Sequence, residues 1–281
     1  MPSALHAGFS THWTEAGLAP APAVPRVLLL HCALAHARAW DGMAAQLGDA
    51  ARVCAMDLPG HGQSAPLDPQ YTAQEQGALM AWPLIEAMGG KVDLVGHSLG
   101  GTLALRLALE RPGAVRSLTL IEPVQFSLLR EAGHPLAAPH FEAEARLAAL
   151  IASGRAEEAA RGFLSTWGDG PPWEALPPAR RAYVLERLPM IVGHARAMAA
   201  DRVGPVTLAG LAGLQLPVLL IDGAQTPPVI GAIHDVLEGA LPKVRRLSVP
   251  GAGHMVPLTH PAAVAAVLRE HLGAAPLPAG A

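Results

Sequence analysis

A serine flanked by glycines is the first feature of this chain whose spacing points to chemistry. Gly96-His97-Ser98-Leu99-Gly100 lies where a buried-type apolar run gives way to small residues and a helix-periodic stretch. A serine that attacks a carbonyl has to stand on a sharp strand-to-helix turn. Glycines two positions to either side remove the Cβ atoms that would clash there. The helix that follows starts with N–H groups that have no partner inside it, so the N–H of Leu99 is open to a developing oxyanion. A hydroxyl is a poor nucleophile near neutral pH, and an imidazole must take its proton during attack and pass it to the leaving group. The chain has 13 histidines from which to choose that base.

The elements that must position these residues alternate along the chain. Apolar runs at Val27 to His31, Arg52 to Met56, Val92 to Val95, Ser117 to Ile121, Val218 to Ile221 and Val244 to Val249 read as strands buried on both faces. Amphipathic stretches at Arg38 to Leu47, Ala73 to Met88, Leu99 to Glu110, Val229 to Glu238 and Ala262 to Leu272 read as helices, with Pro83 expected to kink or break the second. Thr11 to Glu15 is a weaker early strand, and the Ala/Pro/Gly tail from Ala274 is expected to fray. The fold class this predicts is α/β, a mostly parallel central sheet flanked by helices. From Val124 to Leu214 the alternation stops and only helical patterns occur, notably Phe141 to Ser153 and Ala156 to Trp167. The reading is a core of residues 1–124 and 214–281 with a helical insertion over 125–213. Phe126, Phe141, Phe163, Trp167, Trp173 and Tyr183 gather in that insertion, out of 4 Phe, 2 Tyr and 5 Trp in the whole chain. Packing of the insertion's own core explains most single rings, whereas the cluster points to a pocket.

Four ordered segments resemble the α/β-hydrolase family. Beside the Ser98 turn, Leu28 to Cys32 with Ala33 is similar to the family's strand ending in His-Gly. Asp57 to Ser64 (DLPGHGQS) matches a turn after the next strand, and Pro250 to Pro261 (PGAGHMVPLTHP) matches the late loop that carries the catalytic histidine. The resemblance implies Ser98 as nucleophile, His254 as general base, and the N–H groups of Ala33 and Leu99 as the oxyanion hole. It also implies that the insertion is the family's variable cap. His31 would then shape the loop after its strand and His61 a turn. His97 is the variable residue beside the nucleophile, and His260 starts a helix before Pro261.

Two positions depart from the pattern. Where the family usually carries an aspartate after the strand Pro217 to Ile221, this chain has IDGAQTPP, which puts the uncharged Thr226 at that place. A triad needs a carboxylate to orient the imidazole and stabilise its cation. Glu122 is the first choice for it, because it follows the strand beside the serine strand and neighbouring strands lie about 4.8 Å apart. Asp222 is the runner-up. The second departure is Cys32, which stands where glycine is usual and would narrow the oxyanion pocket beside Ala33 or force the loop to shift.

Composition excludes other classes. With 51% hydrophobic and 15% charged residues and a net charge of −3, the chain is neither disordered nor a basic nucleic-acid binder. No apolar run approaches the roughly 20 residues of a membrane span, and no secretory signal opens the chain, so a cytoplasmic location is expected. Two cysteines make no disulfide framework, and no ligand spacing implies a metal or another cofactor. The expected partner is a small apolar ester-like molecule, and oligomeric state stays open. The expected reaction is hydrolysis of a small or medium carboxylic ester or lactone through an acyl-enzyme. The same machinery also serves carbon–carbon bond hydrolysis and acyl transfer, and a non-catalytic ligand-binding homologue is the remaining alternative.

Overall fold

In the computed structural model, residues 2–17, 24–199 and 204–275 are described. Runs of Val, Leu and Ile form strands because branched side chains pack well on a pleated surface covered from both sides. They are β1 (Ser3–His6), β2 (Phe9–Ala16), β3 (Arg26–Leu30), β4 (Arg52–Met56), β5 (Val92–His97), β6 (Val115–Ile121), β7 (Val218–Gly223) and β8 (Val244–Val249). They make one sheet in the order β1-β2-β4-β3-β5-β6-β7-β8, antiparallel at β1, β2 and β4 and parallel from β4 onward. Successive residues of a strand point to opposite faces. Leu28, Leu30, Leu94 and Leu120 therefore enter one core, while Val27, Leu29, Val95 and Ile121 enter the other.

Helices α1 (Asp41–Leu47), α10 (Val256–Thr259) and α11 (Pro261–Ala274) cover the second face; α2 (Ala73–Ala87), α3 (Leu99–Glu110) and α9 (Pro228–Ala240) cover the first. Thr72 starts α2 with a reciprocal capping box to Glu75, which satisfies two N–H groups that a helix start leaves open. Between β6 and β7 lie α4 (Ser127–Glu131), α5 (Ala137–Ala152), α6 (Ala156–Trp167), α7 (Pro178–Ala199) and α8 (Leu208–Ala212), with no strand among the described residues of that stretch. Helices α5, α6 and α7 share a small core of Ala159, Ala160, Trp173, Val184 and Leu188, which Leu34 of the sheet side joins. Leu128 and Leu129 of α4 and Leu211 of α8 instead pack into the sheet's own core.

One strand goes unannounced by the sequence, and three sequence expectations are corrected. Strand β1 carries no alternating apolar pattern to announce it; it forms because Ala7 and Gly8, both at positive φ, close a tight hairpin onto β2. Pro83 does not interrupt α2, since it lies with the exposed Leu79 and Glu86 on the helix's outer stripe, where a freed carbonyl is open to water. Strand β8 is not buried on both faces: as the sheet edge it exposes Arg245 and half-exposes Arg246. Ala274 and Ala275 are not frayed, because Ala274 ends α11 and the buried Ala275 accepts a hydrogen bond from Arg116. The rest of that tail lies outside the described residues.

Candidate active site

The site is built where β5, β6 and β7 end. His97 pairs with Ile121 and Ile121 with Ile221, so the next residues along β5 and β6, Ser98 and Glu122, stand side by side at the sheet's carboxyl edge. Both turn sharply there. Ser98 has φ 54° and ψ −115° and Glu122 has φ 51°, left-handed values that side chains other than glycine rarely adopt. Each is held by one further bond that extends the ladder, Ser98 N–H to the Ile121 carbonyl (2.9 Å) and Glu122 N–H to the Ile221 carbonyl (3.0 Å). A Cβ on Gly96 would meet the Gly100 carbonyl, and one on Gly100 the Leu30 carbonyl. Both glycines are therefore required by close backbone approach.

His254 arrives on the loop after β8 and bridges the two. Its Nε2 lies 3.0 Å from Ser98 Oγ and its Nδ1 2.9 Å from Glu122 Oε2. An ionised carboxylate only accepts, so the proton sits on Nδ1, and Nε2 is left free to accept from the serine hydroxyl. Glu122 is fully buried and accepts at both oxygens, from Gly223 N–H at 2.7 Å on Oε1 and from the Thr226 hydroxyl and His254 on Oε2. The family's usual acid position thus holds a donor to Glu122. Burial raises the Glu122 pKa against the pull of the Thr226 and Gly223 bonds, and it holds the His254 imidazole down to about 4. The imidazole is therefore uncharged at neutral pH and able to accept a proton.

Asp222 faces elsewhere. Its Oδ2 lies 2.7 Å from Arg246 Nη2 and 3.3 Å from His234 Nδ1. Burial alone would raise its pKa, but the bonds from these two partners prevail and hold it at about 2. It braces β7 against β8 and α9.

Cys32, Ala33 and Leu99 line the same cavity as Ser98 and His254. Cys32 is buried and remains a thiol, its pKa pushed up to about 12 by burial. Leu58 N–H donates to His31 Nε2 (3.0 Å), so His31 carries its proton on Nδ1 and donates to the Cys32 carbonyl at 2.7 Å. Leu34 N–H donates to His61 Nε2 (3.1 Å), and His61 Nδ1 donates to the Pro59 carbonyl at 2.9 Å. Asp57 accepts from Ala37 N–H and Gln63 N–H. Two buried histidines and one carboxylate thus tie the loop of Ala33 to the loop after β4. His260 stands at the start of α11, as its place before Pro261 implies.

Sequence reasoning missed two contacts. His97 is no idle neighbour: its Nε2 donates to the carbonyl of His254 at 2.8 Å and packs the two rings 5.4 Å apart. Asp169, in the loop after α6, accepts from the N–H of Met255 at 3.0 Å, one residue beyond His254. Neither contact has a local signal, since each joins residues more than 80 positions apart. Above the triplet opens a cavity of about 650 Å³, lined mostly by apolar side chains. Phe126, Phe163 and Trp167 line it, and Trp167 stands edge-on to His254 with centroids 4.9 Å apart. Trp173 fills the insertion's core instead, and Tyr183 and Phe141 pack at core margins. The aromatic cluster is therefore part pocket and part packing.

The profile of the alpha/beta hydrolase fold matches residues 25–261, most of the chain and all of the site. The chain belongs to the α/β-hydrolase fold family. Lipase LipV of Mycobacterium tuberculosis is 32% identical to this α/β-hydrolase over 268 residues, 88% of this chain and 93% of that protein. A pimeloyl-acyl-carrier-protein methyl ester esterase of Neisseria meningitidis is 30% identical over 264 residues, covering 88% and 93%. The enol-lactonase structure from Burkholderia xenovorans LB400 superposes with a TM-score of 0.73 at 18% identity, over 97% of this chain and 100% of that one, a likeness of fold. This α/β-hydrolase is an enzyme of a family whose similar members are named esterases and lipases. Among the described residues no helix is long and apolar enough to cross a membrane, and no group of three His, Cys, Asp or Glu is arranged to hold a metal ion.

Proposed function

We propose that this α/β-hydrolase cleaves a small or medium carboxylic ester or lactone through an acyl-enzyme. The observation that carries the reading is the unbroken hydrogen-bond line Glu122–His254–Ser98 at the floor of an apolar cavity. Ser98 Oγ attacks the acyl carbon while His254 Nε2 takes its proton, and the carbonyl π electrons move onto oxygen. The N–H groups of Ala33 and Leu99 receive that oxyanion. As the carbonyl reforms, the carbon–oxygen bond to the alcohol breaks and His254 returns the proton to the leaving oxygen. Water, deprotonated by the same imidazole, then releases the acid and restores Ser98. Glu122 balances the imidazolium in both halves. The cavity volume lies within the range of small-molecule sites, about 300–1,000 Å³.

A serine-reactive alkyl phosphonate tests this directly. It should label wild type at Ser98, and Ser98→Ala should lose both the label and hydrolysis of a short p-nitrophenyl ester. Glu122→Gln should lower kcat by about a thousandfold or more, while Asp222→Asn keeps kcat and lowers only the melting temperature. The acid assignment falls if Asp222→Asn is the change that removes turnover, and the enzyme reading falls if wild type neither turns over nor labels.

A further inference from the structure

The cavity wall is mostly apolar, and among its polar members, which include His36, Arg38, Asp169, Arg180 and Thr259, two more stand out that the proposed acyl transfer does not use. Glu144 of α5 and His194 of α7, on two helices packed against each other, both line it. His194 is 9% exposed, and neither of its ring nitrogens has a hydrogen-bond partner among the described residues. Glu144 Oε2 is also buried and unpartnered among them, and its Oε1 lies 3.9 Å from His140 Nε2, beyond hydrogen-bond range. Buried polar atoms are nearly always paired, because a lone one forfeits its hydration for nothing in return. Three such atoms in residues lining one cavity, on two helices packed together, call for a ligand group that pairs them.

Glu144 connects to the reacting atoms through a line of rings. From His254 the line of rings runs to Trp167 (4.9 Å), then Phe126 (6.1 Å), then His140 stacked at 3.6 Å, and Glu144 lies one helical turn from His140 on α5. A group bound there is the far end of a chain whose carbonyl lies at Ser98, with the aromatic rings along its length.

We propose that Glu144 and His194 form a subsite for the terminal hydroxyl of an otherwise apolar substrate chain, so that the preferred ester carries an alcohol group at the end remote from the scissile bond. This rests on the hydrolase reading above and narrows its substrate. The choice of hydroxyl follows from donor and acceptor balance. A neutral imidazole presents one N–H donor and one acceptor nitrogen, and a protonated carboxyl does the same through its O–H and carbonyl. A hydroxyl both donates and accepts. A carboxylate only accepts and leaves the imidazole's lone pair unpaired; an ammonium only donates and leaves the N–H unpaired. Burial moves both side chains towards these neutral forms, raising Glu144 to about 7 and lowering His194 to about 4.

Two series of esters test the subsite, p-nitrophenyl alkanoates and acetate esters of alkanols. Each plain chain is compared with an ω-hydroxy chain of the same number of heavy atoms. In one of the two series, at one length, wild type should prefer the hydroxylated ester by about tenfold or more in kcat/KM, the scale set by leaving buried polar atoms unpaired. That ratio should fall towards one in Glu144→Leu and in His194→Phe, with the plain ester gaining. Glu144→Gln, which keeps a donor and an acceptor, should retain it. Equal rates for both chain types at every length, while plain esters are turned over, overturn the subsite and leave the hydrolase reading standing. If no ester of either series is cleaved, the hydrolase reading is what fails. The subsite is then read from tryptophan fluorescence titrations of 1,6-hexanediol against 1-hexanol: tighter diol binding that Glu144→Leu abolishes supports it, and equal or weaker diol binding overturns it.

Discussion

Glu122 shows what one displaced residue demands of its surroundings. A carboxylate with no exposure survives at the end of β6 only because Gly223 N–H, the Thr226 hydroxyl and His254 Nδ1 all donate to it. Thr226 is therefore the residue whose loss separates positioning from folding. Its hydroxyl lowers the Glu122 pKa against burial, so Thr226→Val, close in shape, should raise the proton affinity of the buried pair. In the proposed mechanism activity depends on the deprotonated pair, so the acid limb of kcat/KM should move to higher pH, with about a tenfold loss near neutrality. A pH–rate profile checks it: a limb that stays in place or moves down contradicts the role. Glu122 was legible from its place after a strand beside the serine strand. The Thr226 bond was not, because it joins residues 104 apart whose meeting depends on where two loops turn.

At the scale of elements, strand ends decide the chemistry. The left-handed backbone of Ser98 and Glu122 costs about 1–3 kcal/mol each and persists because the neighbouring ladder bonds and close glycines leave no other course. Gly96→Ala places a Cβ into the Gly100 carbonyl. It should destabilise the protein by about 3 kcal/mol in urea unfolding, and a near-neutral result would mean that the turn has more room than its backbone contacts imply. Strands β3, β4 and β7 were legible as apolar runs because burial on both faces favours apolar residues, and α6 matched its pattern over Ala156–Trp167. Strand β1 escaped because SALH is mostly exposed and owes its conformation to a hairpin and a partner strand. The unbroken α2 escaped because whether a proline breaks a helix depends on which side of it faces water.

Across the whole molecule, the helical insertion is tied to the sheet side at the site's margins. Arg180 donates to the Leu34 carbonyl, Arg187 Nε to the Gly60 carbonyl at 3.2 Å, and Asp169 accepts from Met255 N–H. The last places a carboxylate of the insertion beside the His254 loop, where its charge favours the imidazolium. Asp169→Asn keeps an acceptor for Met255 but removes the charge, so the histidine should become a weaker base. The acid limb of kcat/KM should move to lower pH by less than about one unit, as suits an exposed carboxylate, and more so at low salt. A shift to higher pH, or one insensitive to salt, would mean that Asp169 acts only as a strap.

The sequence by itself determined what local spacing and burial can encode: an α/β chain, the serine turn with its glycines, the late histidine loop, and a carboxylate at the end of the adjacent strand. These are short-range or periodic features, and each residue's type is constrained by its immediate neighbours. Only the tertiary structure decided that Asp222 belongs to Arg246 and His234, that His97 and Asp169 hold the His254 loop, and that Glu144 and His194 line the same cavity. Those pairings join distant parts of the chain through side chains. A side chain's choice among possible partners is settled by burial and distance in the folded state, and neither is written in the order of residues around it.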